Sequence, residues 1–240
     1  MPEQVIISAQ DIPDPRKSSK VQLVVFDFDG TCIDGKSPML LTLYLLKRRD
    51  LNLGHGILIG LWGLAYKLHL PNLNQSWVRS QVFSAFKGMK KAQADQIMYD
   101  FYDEKVAHLF RPELEHAILQ HKRAGRVVMV VSATFEPIID RMRHFYPIDY
   151  RICTRMAVDS NGCYTDKVVG LPVEGAEKVA SVRRFANERY GVGNWEISYA
   201  YCDHYTDRPM LYAARHPYAV DPDSGLSRTA KAEGWPVIAQ

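Results

Sequence analysis

The sequence is poor in cysteine, and its four cysteines lack the spacing that metal and redox motifs require. No C-x-x-C pair occurs, and no histidine spacing typical of a zinc site accompanies them. These absences exclude a zinc finger and a thioredoxin-type motif. We therefore expect reduced thiols, as in a cytoplasmic protein. The four residues are Cys32, Cys153, Cys163 and Cys202.

The chain also has little net charge and lacks a long apolar segment. Its formal charge is +3 with scattered basic residues, which argues against a nucleic-acid partner. Residues 1–20 lack the apolar stretch of a secretory signal, so we expect a flexible leader there and a cytoplasmic location. The apolar run 57–66 has ten residues, whereas a membrane-spanning helix takes about twenty.

What the chain does contain is an alternation of buried strands and amphipathic helices. Such an alternation predicts an α/β fold with a doubly wound, parallel, Rossmann-like sheet. Ligands of these sheets bind beyond the carboxyl ends of the strands. Strands are predicted at 21–29, 126–133, 150–156, 195–203 and 218–220, and helices at 112–124 and 175–190.

The first two predicted strands are separated by about a hundred residues, far more than the dozen that a crossover needs. The pattern of this stretch is mostly helical. We therefore predict a helical cap at 35–110, inserted into an α/β core formed by 21–34 and 111–240. Helices are predicted at 37–49, where Ser37 and Pro38 make a good start, and at 75–87 and 91–110; residues 151–170, with Asn161-Gly162, are predicted to form a β-hairpin.

Two acidic residues, Asp27 and Asp29, stand two positions apart at the end of the first predicted strand. In an extended chain both side chains point to the same side, and Gly30 then releases the chain into a turn. Neighbouring carboxylates repel each other unless a cation lies between them. We therefore expect a hard cation with oxygen ligands, Mg²⁺, which would also screen an incoming phosphate from Asp27.

Three further stretches place polar groups at the same edge of the predicted sheet. Ser132 and Ala133 end the second strand, where a hydroxyl and backbone N–H groups could hold phosphate oxygens. Lys178 lies near a helix start, from which its ammonium could reach over the strand ends. Asp203 ends another strand and suits a metal ligand, and Asp207, four residues on, suits a supporting role.

In this order the Asp-x-Asp-Gly-Thr stretch, the strand serine, the lysine and the Asp-x-x-x-Asp stretch resemble the four motifs of the haloacid dehalogenase superfamily of phosphatases. The resemblance spans residues 21–237. The inserted cap and the Gly-x-x-Lys-Val stretch at 175–179 are similar to the branch that contains phosphoserine phosphatase. This resemblance implies an Mg²⁺-dependent phosphomonoester hydrolase that acts on a small phosphorylated metabolite or a phospholipid head group.

The resemblance also implies a role for each motif residue. Asp27 would attack phosphorus and become an aspartyl-phosphate, while Asp29 would protonate the leaving group and later activate water. Thr31 would orient Asp29. The implied substrate-binding residues are Gly30, Ser132, Ala133 and Lys178, and the implied metal ligands are Asp27, Asp29 through its backbone carbonyl, and Asp203, with Asp207 in support.

Some positions depart from the family pattern and keep alternatives open. Cys202 and His204 stand where the family has Gly and Ser, which leaves a catalytically silent phosphate-binding protein as an alternative. Residues 34–38 replace the glutamate with which phosphoserine phosphatases read an amino group, which disfavours phosphoserine. A phospho-signalling receiver is disfavoured by the motif order and by the cap. The segment 51–70 is either cap core or a peripheral membrane contact.

Overall fold

A computed structural model describes residues 20–48 and 85–239 of the protein. Six parallel strands form one sheet in the order β3-β2-β1-β6-β7-β8, and two further strands form an antiparallel hairpin, β4-β5. The predicted α/β class with a parallel sheet is therefore confirmed. The strands are β1 (Val21–Phe26), β2 (Val127–Phe135), β3 (Tyr150–Thr154), β4 (Met156–Val158), β5 (Tyr164–Val168), β6 (Trp195–Cys202), β7 (His216–Val220) and β8 (Val237–Ile238).

Helices cover both faces of the sheet because the strands are apolar on both sides. In β1, Val24 and Phe26 pack into one buried cluster, and Leu23 and Val25 pack into another on the opposite face. This double burial is typical of central parallel strands. The helices are α1 (Ser37–Arg48), α2 (Lys91–Phe101), α3 (Pro112–Arg123), α4 (Glu136–Met142), α5 (Ala176–Tyr190), α6 (Arg208–Ala213) and α7 (Ser224–Glu233).

Several predicted boundaries were wrong. The first strand ends at Phe26 rather than at 29, because the chain turns there and the amides of Thr31 and Ile33 donate to the carbonyl of Phe28. The second strand continues to Phe135, since its end pairs with β3. The residues Asp27 and Asp29 therefore lie in a turn.

The predicted hairpin at 151–170 was also only partly right. Residues 150–154 pair with β2 in the parallel sheet, and only 156–168 form the antiparallel hairpin around 161–162. The predicted helix 91–110 divides into α2, a π-helical turn (Tyr102–Val106) and a 3₁₀ turn (Ala107–Leu109). Of the predicted helix 75–87, residues 85–87 form a turn and the rest lie outside the described residues.

The segment between β1 and β2 contributes α1, α2 and α3, and α2 and the residues just before it are hydrogen-bonded to the hairpin. The amide of Gly88 donates to the carbonyl of Tyr164, and the amide of Tyr164 donates to the carbonyl of Met89. The Tyr164 hydroxyl also donates to Asp95, at 2.6 Å. The division into core and cap stays a prediction, and the leader and the segment 51–70 lie outside the described residues. No helix in the described part of the chain is both long and apolar enough to cross a bilayer.

Candidate active site

Neighbouring parallel strands bring the acidic residues together. Strand β1 pairs with β6 so that Phe26 lies opposite Tyr201, and the amide of Asp27 donates to the carbonyl of Tyr201 at 3.0 Å. Asp203 follows the end of β6 and therefore lies beside Asp27 at the carboxyl edge of the sheet. A 3₁₀ turn over residues 205–207 then returns Asp207 to the same place.

The carboxylates of Asp27, Asp203 and Asp207 form a buried cluster. One oxygen from each lies within 4.8 Å of the others, and each residue is 7% exposed or less. Burial raises the pKa of Asp203 and raises the pKa of Asp207 to about 6. Three close, buried oxygen donors fit a hard divalent cation such as Mg²⁺, which prefers carboxylate ligands.

Lys178 supplies a buried positive charge to this cluster. It lies in the first turn of α5, and its ammonium nitrogen is 2.8 Å from Asp27 Oδ1 and 2.9 Å from Asp207 Oδ2. Burial alone would lower the pKa of Lys178, but the carboxylates of Asp207 and Asp27 outweigh burial and raise it. Lys178 therefore stays positively charged at neutral pH and is ion-paired with Asp27, the expected nucleophile.

The carboxylate of Asp29 is held apart from the cluster by two residues that the sequence analysis missed. Its Oδ1 accepts from the Ser37 amide at 2.5 Å, and its Oδ2 accepts from the Ser37 hydroxyl at 3.0 Å and from the Thr134 hydroxyl. Burial raises the pKa of Asp29, and the hydrogen bonds from Thr134 and Ser37 offset part of that rise. A carboxyl group with a raised pKa is suited to donating a proton.

We expected Thr31 to orient Asp29, but its hydroxyl donates to Asp203 Oδ1 instead, at 3.2 Å. The turn after β1 directs the Thr31 side chain towards the end of β6. Ser132 lies within β2 rather than at its end, and its hydroxyl accepts from the Thr134 amide at 3.1 Å. Ala133 is the next residue of the same strand.

A second lysine, Lys36, also reaches the acidic edge and was missed by the sequence analysis. Its ammonium lies 2.6 Å from Asp203 Oδ2 and 3.1 Å from the backbone carbonyl of Asp29. Gly30, which has a φ of +83°, lies beside these groups. A Cβ at this glycine would lie 2.2 Å from Asp203 Oδ2 and 2.5 Å from the Lys36 ammonium, so only glycine fits here.

The residues that depart from the family pattern contact other parts of the loop. Cys202 is the buried last residue of β6, where burial raises the pKa of its thiol. His204 Nε2 lies 3.3 Å from Asp223, and its Nδ1 lies 2.9 Å from the Thr206 hydroxyl. The Thr206 amide also donates to His204 Nδ1 at 3.3 Å, so His204 contacts Thr206 of its own loop and Asp223, as expected for a loop residue.

Comparisons with known proteins place the chain in a family. Residues 24–212 match the haloacid dehalogenase-like hydrolases, so the chain belongs to that family. It is 34% identical over 163 residues to a Mycobacterium tuberculosis protein named "Probable phosphatase", which covers 68% of this chain. The chain spans only 55% to 57% of the length of this and two other curated relatives.

Two further similarities cover nearly the whole chain. The histidinol-phosphatase of Neisseria meningitidis is 27% identical over 230 residues, which covers 90% of this chain and 97% of that protein. A solved, substrate-bound phosphoserine phosphatase shares the fold, with a TM-score of 0.63 and 19% identity over 91% of this chain and 93% of that one. The predicted family, hydrolase class and phosphoserine phosphatase-like fold are therefore confirmed.

Proposed function

We propose that this protein is an Mg²⁺-dependent phosphomonoesterase that forms an aspartyl-phosphate on Asp27. The observation that carries the proposal is the different setting of two neighbouring carboxylates. Asp27 is ion-paired with Lys178 within the acidic cluster, while Asp29 is half-buried and hydrogen-bonded outside it. A nucleophile and a proton donor require different environments of this kind, one beside a positive charge and one where burial raises the pKa of Asp29.

In the first step a carboxylate oxygen of Asp27 bonds to phosphorus as the bond from phosphorus to the leaving oxygen breaks. The leaving oxygen takes its proton from Asp29. In the second step Asp29 takes a proton from water, whose oxygen attacks phosphorus and releases Asp27 and inorganic phosphate. Ser37 and Thr134, which donate to Asp29, fix the orientation of its carboxyl group.

The negative charge of the phosphoryl group must be neutralised by positive charge, which the acidic cluster itself does not supply. Asp27, Asp203 and Asp207, with the backbone carbonyl of Asp29, are the residues that would hold Mg²⁺. When bound, the ion neutralises phosphoryl oxygens beside the carboxylates. Lys178 contributes a second positive charge at Asp27 Oδ1, and Ser132 and Ala133 would add hydrogen-bond donors from β2.

For the substrate we propose a small phosphorylated metabolite or a phospholipid head group. The named relatives include a histidinol-phosphatase and a phosphoserine phosphatase, both directed at small phosphomonoesters by their names. Residues 34–38 contain no glutamate in the stretch where phosphoserine phosphatases carry the glutamate that reads the substrate's amino group. This difference favours leaving groups other than phosphoserine. A cytoplasmic location is part of the same proposal.

The proposal is tested by Mg²⁺-dependent phosphate release from a panel of phosphomonoesters. The panel holds p-nitrophenyl phosphate, phosphoserine, histidinol phosphate, lysophosphatidate and phosphatidylglycerophosphate. We expect turnover by the wild type, none by Asp27→Asn, and wild-type turnover by Asp166→Asn, a matched change at an exposed surface ion pair. Equal turnover by wild type and Asp27→Asn would overturn the mechanism.

A catalytically silent phosphate-binding protein is the second candidate, favoured only by the substitutions at Cys202, the last residue of β6, and at His204 in the loop that follows. This candidate predicts that the wild type binds inorganic phosphate but releases no phosphate from any ester with any divalent metal ion. The raised pKa of Asp29 argues against it, because phosphate binding alone needs no proton donor.

A further inference from the structure

Lys36 has no place in the chemistry described above, yet its ammonium touches two groups of the proposed metal site. It lies 2.6 Å from Asp203 Oδ2 and 3.1 Å from the backbone carbonyl of Asp29. Both groups are oxygen donors that we propose for Mg²⁺. The lysine therefore contacts oxygens that the ion would also use.

The pair formed by Lys36 and Asp203 is asymmetric in burial. The Lys36 side chain is 47% exposed, whereas that of Asp203 is 10% exposed. Asp203 is fixed further by the Thr31 hydroxyl, so the flexible member of the pair is the lysine. A lysine stem of four carbons with an exposed end can leave its partner for solvent without disturbing the backbone.

A divalent ion and an ammonium on the same carboxylate group repel each other. Two positive charges a few ångströms apart cost free energy even at a solvated protein edge. Gly30 leaves room for both the ammonium and the carboxylate, since a Cβ at this position would clash with each of them. The exposed end of the Lys36 side chain allows the ammonium to relieve the repulsion by moving outwards into solvent.

We propose that Lys36 is a displaceable counter-cation, which neutralises Asp203 in the metal-free protein and must leave that carboxylate when a divalent ion binds. This inference rests on the proposed metal site but concerns a residue that takes no part in the reaction steps. It makes Lys36 a determinant of metal affinity. The competing ammonium weakens metal binding, and it stabilises the acidic cluster when no metal is present.

The test is calorimetric titration of metal-stripped protein with MgCl₂, a readout that needs no substrate. Lys36→Met removes the competing charge and should tighten Mg²⁺ binding about tenfold, or about 1.4 kcal/mol. Lys36→Arg keeps the charge and should stay near the wild type. Lys87→Met is the matched control, because Lys87 is also 2.6 Å from an aspartate and 59% exposed, but pairs with Asp166 of the hairpin.

Two results would overturn the inference, and they differ in what else they affect. Mg²⁺ affinity of Lys36→Met equal to or weaker than that of the wild type would refute the competition and leave the proposed function intact. Absence of Mg²⁺ binding by every variant and by the wild type would refute both.

A second measurement keeps the inference testable if Lys36→Met does not fold. Crystal structures of the wild-type protein would be solved with and without Mg²⁺. We expect the Lys36 ammonium to lie beyond hydrogen-bonding distance of Asp203 in the metal-bound form. An ammonium that keeps the 2.6 Å contact with Mg²⁺ present would overturn the proposal.

Discussion

The ammonium of Lys178 lies 2.8 Å from Asp27 Oδ1, and both side chains are 7% exposed. The same ammonium also lies 2.9 Å from Asp207 Oδ2. A buried lysine between two buried carboxylates cannot be removed without leaving unpaired charge in the protein interior. Stability and reactivity of the site therefore depend on one side chain.

Replacing Lys178 with methionine should therefore destabilise the fold as well as abolish activity. We expect the free energy of unfolding to fall by roughly 3 kcal/mol in urea denaturation at neutral pH. Lys87→Met, at an exposed pair, should cost about 1 kcal/mol or less. Adding Asp207→Asn to Lys178→Met should restore part of the lost stability. Equal losses for the two lysine variants would contradict the account.

Gly30→Ala tests the close packing beneath Asp203 and Lys36. The added Cβ would meet Asp203 Oδ2 at 2.2 Å, so we expect loss of phosphatase activity and of Mg²⁺ binding. Gly125→Ala is the control, since Gly125 has a similar φ of +73° but open space around its Cβ position. That variant should cost about 1 kcal/mol of stability, from backbone strain, and keep activity. The prediction fails if both variants retain wild-type turnover.

Thr134→Val tests whether Thr134 positions Asp29. We expect the rate of phosphoenzyme formation to fall about tenfold, because misplaced proton donors are inefficient. The Thr134 hydrogen bond lowers the pKa of Asp29, so its removal should raise that pKa further. A proton donor with a higher pKa stays protonated to higher pH. The alkaline limb of the pH–rate profile should therefore shift to higher pH.

The matched control for Thr134 is Thr154→Val. Thr154 is also buried and at the end of a neighbouring strand, but its hydroxyl has no hydrogen-bond partner among the described residues. Its replacement should leave the rate and the pH profile unchanged. An unshifted pH profile in Thr134→Val would show that this residue does not act on Asp29.

The buried His121 makes stability depend on pH. Burial, with the nearby Arg126 charge, lowers the pKa of His121 to about 3, and its Nε2 lies 2.8 Å from the Tyr201 hydroxyl. The histidine of the unfolded chain has an ordinary pKa of about 6.5. The folded state therefore has its full stability above that pH, and stability is lost as the pH falls from there towards 3, because the unfolded chain takes up the proton first. Between pH 7 and 5 this loss amounts to about 2 kcal/mol.

Urea denaturation at pH 7 and pH 5 measures this term. His121→Gln should lose roughly 2 kcal/mol less than the wild type between the two pH values. His108→Gln, at an exposed histidine, should behave as the wild type. An unchanged pH dependence in His121→Gln would show that other groups account for the acid sensitivity.

The sequence was sufficient to predict the parallel sheet and to place Asp27, Asp203 and Lys178 at one edge. Apolar runs such as 21–26 and 195–202 locate buried strands, and parallel strands share a carboxyl edge. Because these strands are apolar on both faces, the sequence allowed few interpretations other than a parallel sheet covered by helices on both sides. These features are local, or follow from rules common to all parallel sheets.

The hydrogen-bond partners within the site could not be predicted in the same way. Ser37 looked like a helix N-cap, and Thr134 like a residue beyond a strand end, yet both bind Asp29. Their meeting depends on how α1 returns to the sheet and on β2 continuing past Ser132. Thr31 contacts Asp203 instead of Asp29 for the same reason, since side-chain direction after Gly30 follows the turn geometry.

The most direct test of the central claim is to identify the residue that carries phosphate during turnover. Wild-type protein is mixed with Mg²⁺ and p-nitrophenyl phosphate, quenched in acid within milliseconds, digested and analysed by mass spectrometry. We predict one phosphoryl group on the peptide that contains Asp27, located on Asp27, and none in Asp27→Asn. Turnover with phosphate on another residue, or turnover that persists in Asp27→Asn, would contradict the account.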